Sequence, residues 1–347
     1  MKLKQSKTYL SLLCIGLFSS ACSSNDSIYS DSSLESEIPQ ILVSTSLWGD
    51  VVSNVVCDGS AEINVIIPAG SDPHTFELSL TDRKLMEEAD LIISNGLFLE
   101  EGLTPALEEL SSEGKPLFQF SDHVELLSYD KSNDLDQDKD HDEDSHEDED
   151  EHDDEDEDTH DGDDEHGDEH GDSDPHIWLD PTLVSTSLDE LATVLKDDIN
   201  LDAAAVDRCT QNYQSLLAQT DSEIETLVGQ VKPEDKKLVT NHDAFSYYAK
   251  RYGFDIVGVV IPSPSELAET NPAQLQELAD LIRNENIKAI FAESQHSDKD
   301  AQALANEIGS VEVVSLYSGT LGEKDSGADT YIGYLKTNTN SIVDALK

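Results

Sequence analysis

Two copies of the tripeptide Asp-Pro-His lie far apart in the chain, and each ends in a histidine that could bind a metal ion. The first ends at His74 in "AGSDPHTFE" and the second at His176 in "DSDPHIWLDP", while His242 in "LVTNHDAFSYYA" follows an apolar run. Neutral imidazole is a common donor for zinc, and three such donors leave a fourth position for water or a carboxylate. The three histidines therefore predict a zinc site.

The residues around these histidines support the same interpretation. In each Asp-Pro-His the proline fixes the backbone just before the imidazole and holds the preceding aspartate extended. Three neighbouring aspartates could orient the rings by hydrogen bonds, namely Asp72, Asp174 and Asp243. His123 lies in the polar stretch "SDHVE", and we assign it no role in the site.

The elements that must position these residues alternate between strand and helix. Apolar runs such as "QILVSTS", "EINVIIP" and "DLIISNG" predict strands, and "LWGDVVSNVV" and "DRKLMEEA" predict the helices between them. Such alternation indicates a mainly parallel sheet covered on both faces. The three histidines follow predicted strands or their loops, where ligands bind in open α/β sheets.

The alternation occurs twice, which predicts two α/β lobes with mainly parallel sheets joined by one long rigid helix. We expect an N-terminal lobe at 40–199, a connecting helix at 200–232 and a C-terminal lobe at 233–347. The chain has no Gly-rich phosphate loop, neither GxGxxG nor GxxxxGK.

A strongly acidic stretch at 134–173 interrupts the first lobe. It is almost free of apolar side chains, so we expect a mobile loop. Its imidazoles and carboxylates would bind divalent cations weakly, or the stretch is simply a solvated run of charge. The histidines of this proposed auxiliary site are His141, His146, His152, His160, His166 and His170.

The formal net charge of −54 argues against binding of nucleic acid or anionic lipid through charge. The N-terminus has three lysines, a short apolar run and then "SSAC", which is the order of an export signal over 1–21. Cys22 would be lipidated and begin a flexible tether at 22–39. In an oxidising compartment, the two cysteines of the exported body, Cys57 and Cys209, favour one disulfide over two unpaired thiols.

In combination these motifs resemble the zinc-type, ZnuA-like metal-binding proteins of bacterial ABC importers, over roughly residues 40–347. A His-rich acidic loop before the second Asp-Pro-His is typical of the zinc branch. The stretches that carry the resemblance are "VIIPAGSDPHTFELSLTD", "ADLIISNGLFLEEGL", "DPHIWLDP", "LVTNHDAFSYYAKRYG", "IKAIFAE" and "GADTYIGYLKTNTNSIVDAL".

The resemblance implies that His74, His176 and His242 bind Zn²⁺ in the cleft between the lobes. Manganese-type relatives usually carry Glu at the third position. Many relatives take a fourth ligand from a loop carboxylate near Gly319. Here that ligand would be water, with Glu323 or His296 as alternatives, although His296 is expected on a solvated loop outside the ligand set.

The family implies a monomer that delivers zinc to a membrane permease with a cytoplasmic ATPase. It would be held outside the cytoplasm by a lipid anchor or located in the periplasm. Two other functions stay open, a metal-buffering or adhesive surface lipoprotein and a zinc hydrolase. The chain lacks HExxH and GxSxG, and because the family is non-catalytic the resemblance implies a binding protein and not an enzyme.

Overall fold

The computed structural model describes residues 38–128, 173–261, 272–309 and 311–347 of the 347-residue chain. The predicted signal segment lies outside these ranges, as do the tether apart from residues 38–39 and the acidic stretch apart from Ser173. Among the helices that are described, none has both the length and the apolar character needed to cross a membrane.

The first lobe is built on a sheet of four parallel strands in the order β2-β1-β3-β4. Its strands are β1 (Gln40–Thr45), β2 (Glu62–Ile67), β3 (Leu91–Ser94) and β4 (Leu117–Gln119). The helices between them are α1 (Ser46–Val55), α2 (Leu80–Glu88) and α3 (Thr104–Ser112). Strands β1 and β3 are buried almost throughout, as expected for inner strands covered by helices on both faces.

The second lobe repeats this arrangement with the strand order β6-β5-β7-β8, again all parallel. Its strands are β5 (Lys237–Thr240), β6 (Asp255–Val259), β7 (Ala289–Glu293) and β8 (Glu312–Leu316). Its helices are α6 (Ser246–Tyr252), α7 (Pro272–Glu285), α8 (Lys299–Ile308) and α9 (Tyr331–Leu346). The predicted α/β class with two lobes and parallel sheets is confirmed.

Two helices lie between the sheets in sequence, α4 (Pro181–Asp197) and α5 (Ala203–Val228). Asp180 caps α4 by accepting a hydrogen bond from the Thr182 N–H, and a proline at the first helical position suits this start. Helix α5 is the long helix between the lobes, and it contacts α1, α4 and α9. The domain boundaries given above remain predictions.

One apolar core continues from the first lobe through α5 into the second. It includes Trp48 of α1, Tyr213 and Leu217 of α5, and Tyr331 of α9, all fully or nearly fully buried. A disulfide joins Cys57, just after α1, to Cys209 on α5. The core and the disulfide together attach the first lobe to the connecting helix.

Candidate metal centre

His74, His176 and His242 lie together in the structure. Their donor nitrogens are within 4.8 Å of one another, and all three residues are buried. His176 is central, because its Nε2 lies 3.3 Å from Nε2 of His74 and 3.2 Å from Nε2 of His242. His74 follows β2 and His242 follows β5. The carboxyl ends of the two parallel sheets therefore contribute one histidine each.

The second Asp-Pro-His places His176 just before α4. Nδ1 of His176 lies 2.7 Å from Oδ1 of Asp174, and the same carboxylate oxygen accepts the His176 backbone N–H at 2.9 Å. Burial raises the pKa of Asp174 to about 7, while the His176 N–H and the neighbouring His242 lower it. With Nδ1 held by this carboxylate, Nε2 is the nitrogen that faces the other two rings.

Glu293, at the end of β7, holds the third ring. Its Oε1 forms a hydrogen bond with Nδ1 of His242, and the residue is 4 % exposed. Glu293 was not among the site residues predicted from the sequence. A signal was available, because this acid ends the apolar run "IFAE" at the carboxyl edge of a predicted parallel sheet, where ligands bind.

Asp72, two residues before His74, accepts two hydrogen bonds from its own loop. Oδ1 of Asp72 accepts the His74 N–H at 3.0 Å, and its Oδ2 accepts the Thr75 hydroxyl at 2.7 Å. Asp243 accepts the Ser246 hydroxyl at 3.2 Å. Helix α6 begins at Ser246, and just before it the Ala244 N–H bonds back to the His242 carbonyl in a turn.

The structure also locates the alternatives for a fourth ligand. Gly319 packs against Pro73, the exposed Glu323 lies beside Gly70, and Nε2 of His296 is 3.8 Å from Oδ2 of Asp72. His296 lies in the loop after β7, as expected, but its side chain is only 19 % exposed and contacts Asp72 of the first lobe. Over the described ranges, the group of close donors consists of the three histidines alone.

A buried polar network fixes the loop that carries His176. Asn95, after β3, donates from Nδ2 to the Pro175 carbonyl at 2.9 Å, and its Oδ1 accepts Nε1–H of Trp48 at 3.1 Å. The carboxylate of Glu100 accepts the Asn95 N–H at 2.9 Å and the Ser44 hydroxyl at 2.5 Å. Burial raises the pKa of Glu100, and these donors oppose the rise.

Replacing Asn95 with alanine should destabilise the protein. The change leaves the Trp48 N–H and the Pro175 carbonyl buried without these partners, and each such group costs about 1 to 3 kcal/mol. We expect the free energy of unfolding, measured in urea, to fall by about 2 to 6 kcal/mol. Asn340→Ala is the control, because its amide makes an exposed bond to the Lys336 carbonyl. Equal losses in the two variants would contradict the assignment.

The remaining predicted site residues lie outside the described parts of the chain. These are the lipidation site Cys22 and the six loop residues His141, His146, His152, His160, His166 and His170. Their proposed roles stay predictions.

The three-histidine group offers imidazole nitrogen donors, and carboxylates orient two of the three rings. Two of the rings have a carboxylate at Nδ1, which favours Nε2 as the metal-binding nitrogen. Imidazole suits zinc and other borderline metals, whereas carboxylate, carbonyl and water oxygens suit manganese. The chemistry of the described donors is thus that of a site for a borderline divalent metal.

Comparisons with known proteins identify relatives over nearly the whole described chain. Residues 41–345 match the family model described as zinc-uptake complex component A, periplasmic (ZnuA). A manganese-binding lipoprotein, MntA of Halalkalibacterium halodurans, is 25% identical over 96% of both chains. The high-affinity zinc uptake protein ZnuA of Bacillus subtilis is 29% identical over 82% of this chain and 81% of its own.

A solved structure shows the same fold. The periplasmic zinc-binding protein TroA of Treponema pallidum superposes with a TM-score of 0.71 at 25% identity. The match covers 89% of this chain and 99% of the TroA chain. The relatives thus include both zinc-binding and manganese-binding proteins.

Proposed function

The chain belongs to the ZnuA family of metal-binding components of ABC importers, and from this premise we propose that it captures Zn²⁺ outside the cytoplasm for uptake. His74, His176 and His242 would bind the ion between the two lobes. The protein would then dock on a membrane permease whose cytoplasmic ATPase drives transport. We further propose a lipid anchor at Cys22, in keeping with the relatives named as lipoproteins.

The donor set is the observation that supports zinc as the bound metal in preference to manganese. Three imidazole nitrogens come together, and no carboxylate oxygen of the described chain joins them within the donor group. A site of this kind lacks the oxygen ligands that manganese prefers. Manganese is the second candidate, because manganese-binding proteins align over nearly the whole chain.

Competitive titration of the full-length chain tests the choice of metal. We expect one tightly bound Zn²⁺ per chain, and Mn²⁺ in large excess should fail to displace it. Neutral imidazole binds zinc more strongly than manganese, since zinc stands higher in the general order of divalent-metal affinity. Displacement of zinc by stoichiometric manganese would reject zinc as the cargo.

Deleting residues 134–173 tests whether the acidic stretch binds metal. We propose that it acts as an auxiliary, weak metal-binding segment, so the deletion should keep the tight zinc and remove only weaker equivalents. Zinc content after dialysis and a chelator titration provide the two measurements. Loss of the tight zinc with the deletion would instead favour a surface metal buffer.

A further inference from the structure

The loop that follows β8, Ser318 to Leu321, contributes no donor to the three-histidine group. It nevertheless contacts the residues that hold or flank each of the three histidines, and it links the second lobe to the first. We define these four residues as the β8 loop. The inference below rests on the proposed function, because it concerns how the same site retains its metal.

The first contact acts on His242. The Ser318 hydroxyl donates a hydrogen bond to Oε2 of Glu293, the carboxylate whose other oxygen bonds Nδ1 of His242. Gln295 completes this group, with its Nε2 2.5 Å from the Ser318 hydroxyl and 2.9 Å from the same carboxylate oxygen. Ser318 is fully buried. Its hydroxyl therefore fixes which way the Glu293 carboxylate faces.

The second contact acts beside His176. The backbone carbonyl of Ser318 accepts Nε1–H of Trp178 at 2.9 Å and the Tyr334 hydroxyl at 2.6 Å. The ring of Trp178, two residues after His176, packs edge-on against the imidazole with centroids 5.3 Å apart. The hydrogen bond to the β8 loop thus holds the Trp178 ring against the imidazole of His176.

The third contact lies beside His74. A Cβ atom at position 319 would lie 2.9 Å from Cδ of Pro73, closer than side chains normally approach, so only glycine fits without a shift. One residue further on, the Thr320 hydroxyl accepts the Gly70 N–H at 2.9 Å. The β8 loop therefore packs directly on the loop of the first Asp-Pro-His.

We propose that Ser318 and Gly319 are positioning residues that hold the three imidazoles in one arrangement and so set how slowly the metal leaves. One loop holds a contact beside each ligand, and the two lobes cannot separate at the site without breaking the contacts that this loop makes with Trp178 and with the loop of the first Asp-Pro-His. Partners of metal ligands tune affinity by about 10- to 100-fold. A loop that acts on several ligands at once should show its effect mainly in the dissociation rate.

The hydroxyl of Ser318 is tested with two substitutions of equal shape. Ser318→Val removes the donor to Glu293, whereas Ser318→Thr keeps it with the same added volume. In the full-length chain, zinc loss to an excess of a chromogenic chelator should be about tenfold faster in Ser318→Val. It should stay close to the wild-type rate in Ser318→Thr. Ser315→Val, at an exposed position of β8, is the control.

Cobalt gives a second readout that simple destabilisation would not produce. The visible absorption of bound Co²⁺ reports ligand geometry, so Ser318→Val should shift the band and Ser318→Thr should not. Equal dissociation rates and equal Co²⁺ spectra in the two variants would overturn the role of the hydroxyl.

Gly319→Ala tests the close packing independently and serves if Ser318→Val does not fold. We expect about tenfold faster zinc loss, because the added methyl pushes the β8 loop away from Pro73. Gly229→Ala, at the exposed end of α5, is its control. A wild-type rate in Gly319→Ala would overturn the inference. A wild-type chain without tight zinc would instead overturn the proposed function.

Discussion

Replacing His176 with alanine is expected to abolish tight zinc binding. Its Nε2 lies between those of His74 and His242, at 3.3 and 3.2 Å, so its removal takes the central donor from the group. Outer partners of metal ligands change affinity by about 10- to 100-fold, and loss of a ligand should exceed that range. Competition with a chelator of known affinity gives the dissociation constant, and zinc content after dialysis gives the stoichiometry.

The control for this variant is His123→Ala. His123 stacks on Phe118 with ring centroids 4.7 Å apart, and it is not part of the described group of close donors. We expect His123→Ala to bind zinc like the wild type. If His176→Ala kept one zinc of unchanged affinity, the site would lie elsewhere and the proposed function would lose its structural basis.

Removing the disulfide between Cys57 and Cys209 should cost about 5 kcal/mol of stability in the chain-entropy description. The bridge joins residues 152 positions apart, and constraint of the unfolded chain increases with the length of the closed loop. The double variant Cys57→Ser/Cys209→Ser should therefore unfold at markedly lower urea concentration. Its free energy of unfolding, compared with that of the oxidised wild type, measures the effect.

Reduction provides the matched control. Reduced wild type should unfold like the double variant, whereas the double variant itself should not respond to reductant. Equal unfolding midpoints for oxidised wild type and the double variant would show that the bridge adds nothing. The zinc affinity of the folded double variant should remain unchanged, because Cys57 and Cys209 are not among the close donors.

The alternation of strands and helices was readable from the sequence because hydrophobic periodicity is a local property. Apolar runs such as "QILVSTS" and "IKAIFAE" contain strands β1 and β7, and the predicted connecting helix at 200–232 contains α5. Capping signals are local too, as at Asp180, where a side-chain acceptor and the following proline mark the start of α4. The two-lobe class followed from these elements alone.

The candidate donors were also evident, since His74 and His176 stand in repeated Asp-Pro-His contexts and His242 follows a predicted strand. The contacts that hold these donors in place were not evident from the sequence. Glu293 bonds to His242, and Gly319 packs closely on Pro73, and both contacts join residues that are remote in sequence. No local pattern encodes such pairs, because the first forms only when β5 and β7 pair in the second sheet and the second only when the two lobes meet. The sequence by itself determined which side chains could bind a metal, and the tertiary structure decided which groups hold them in place.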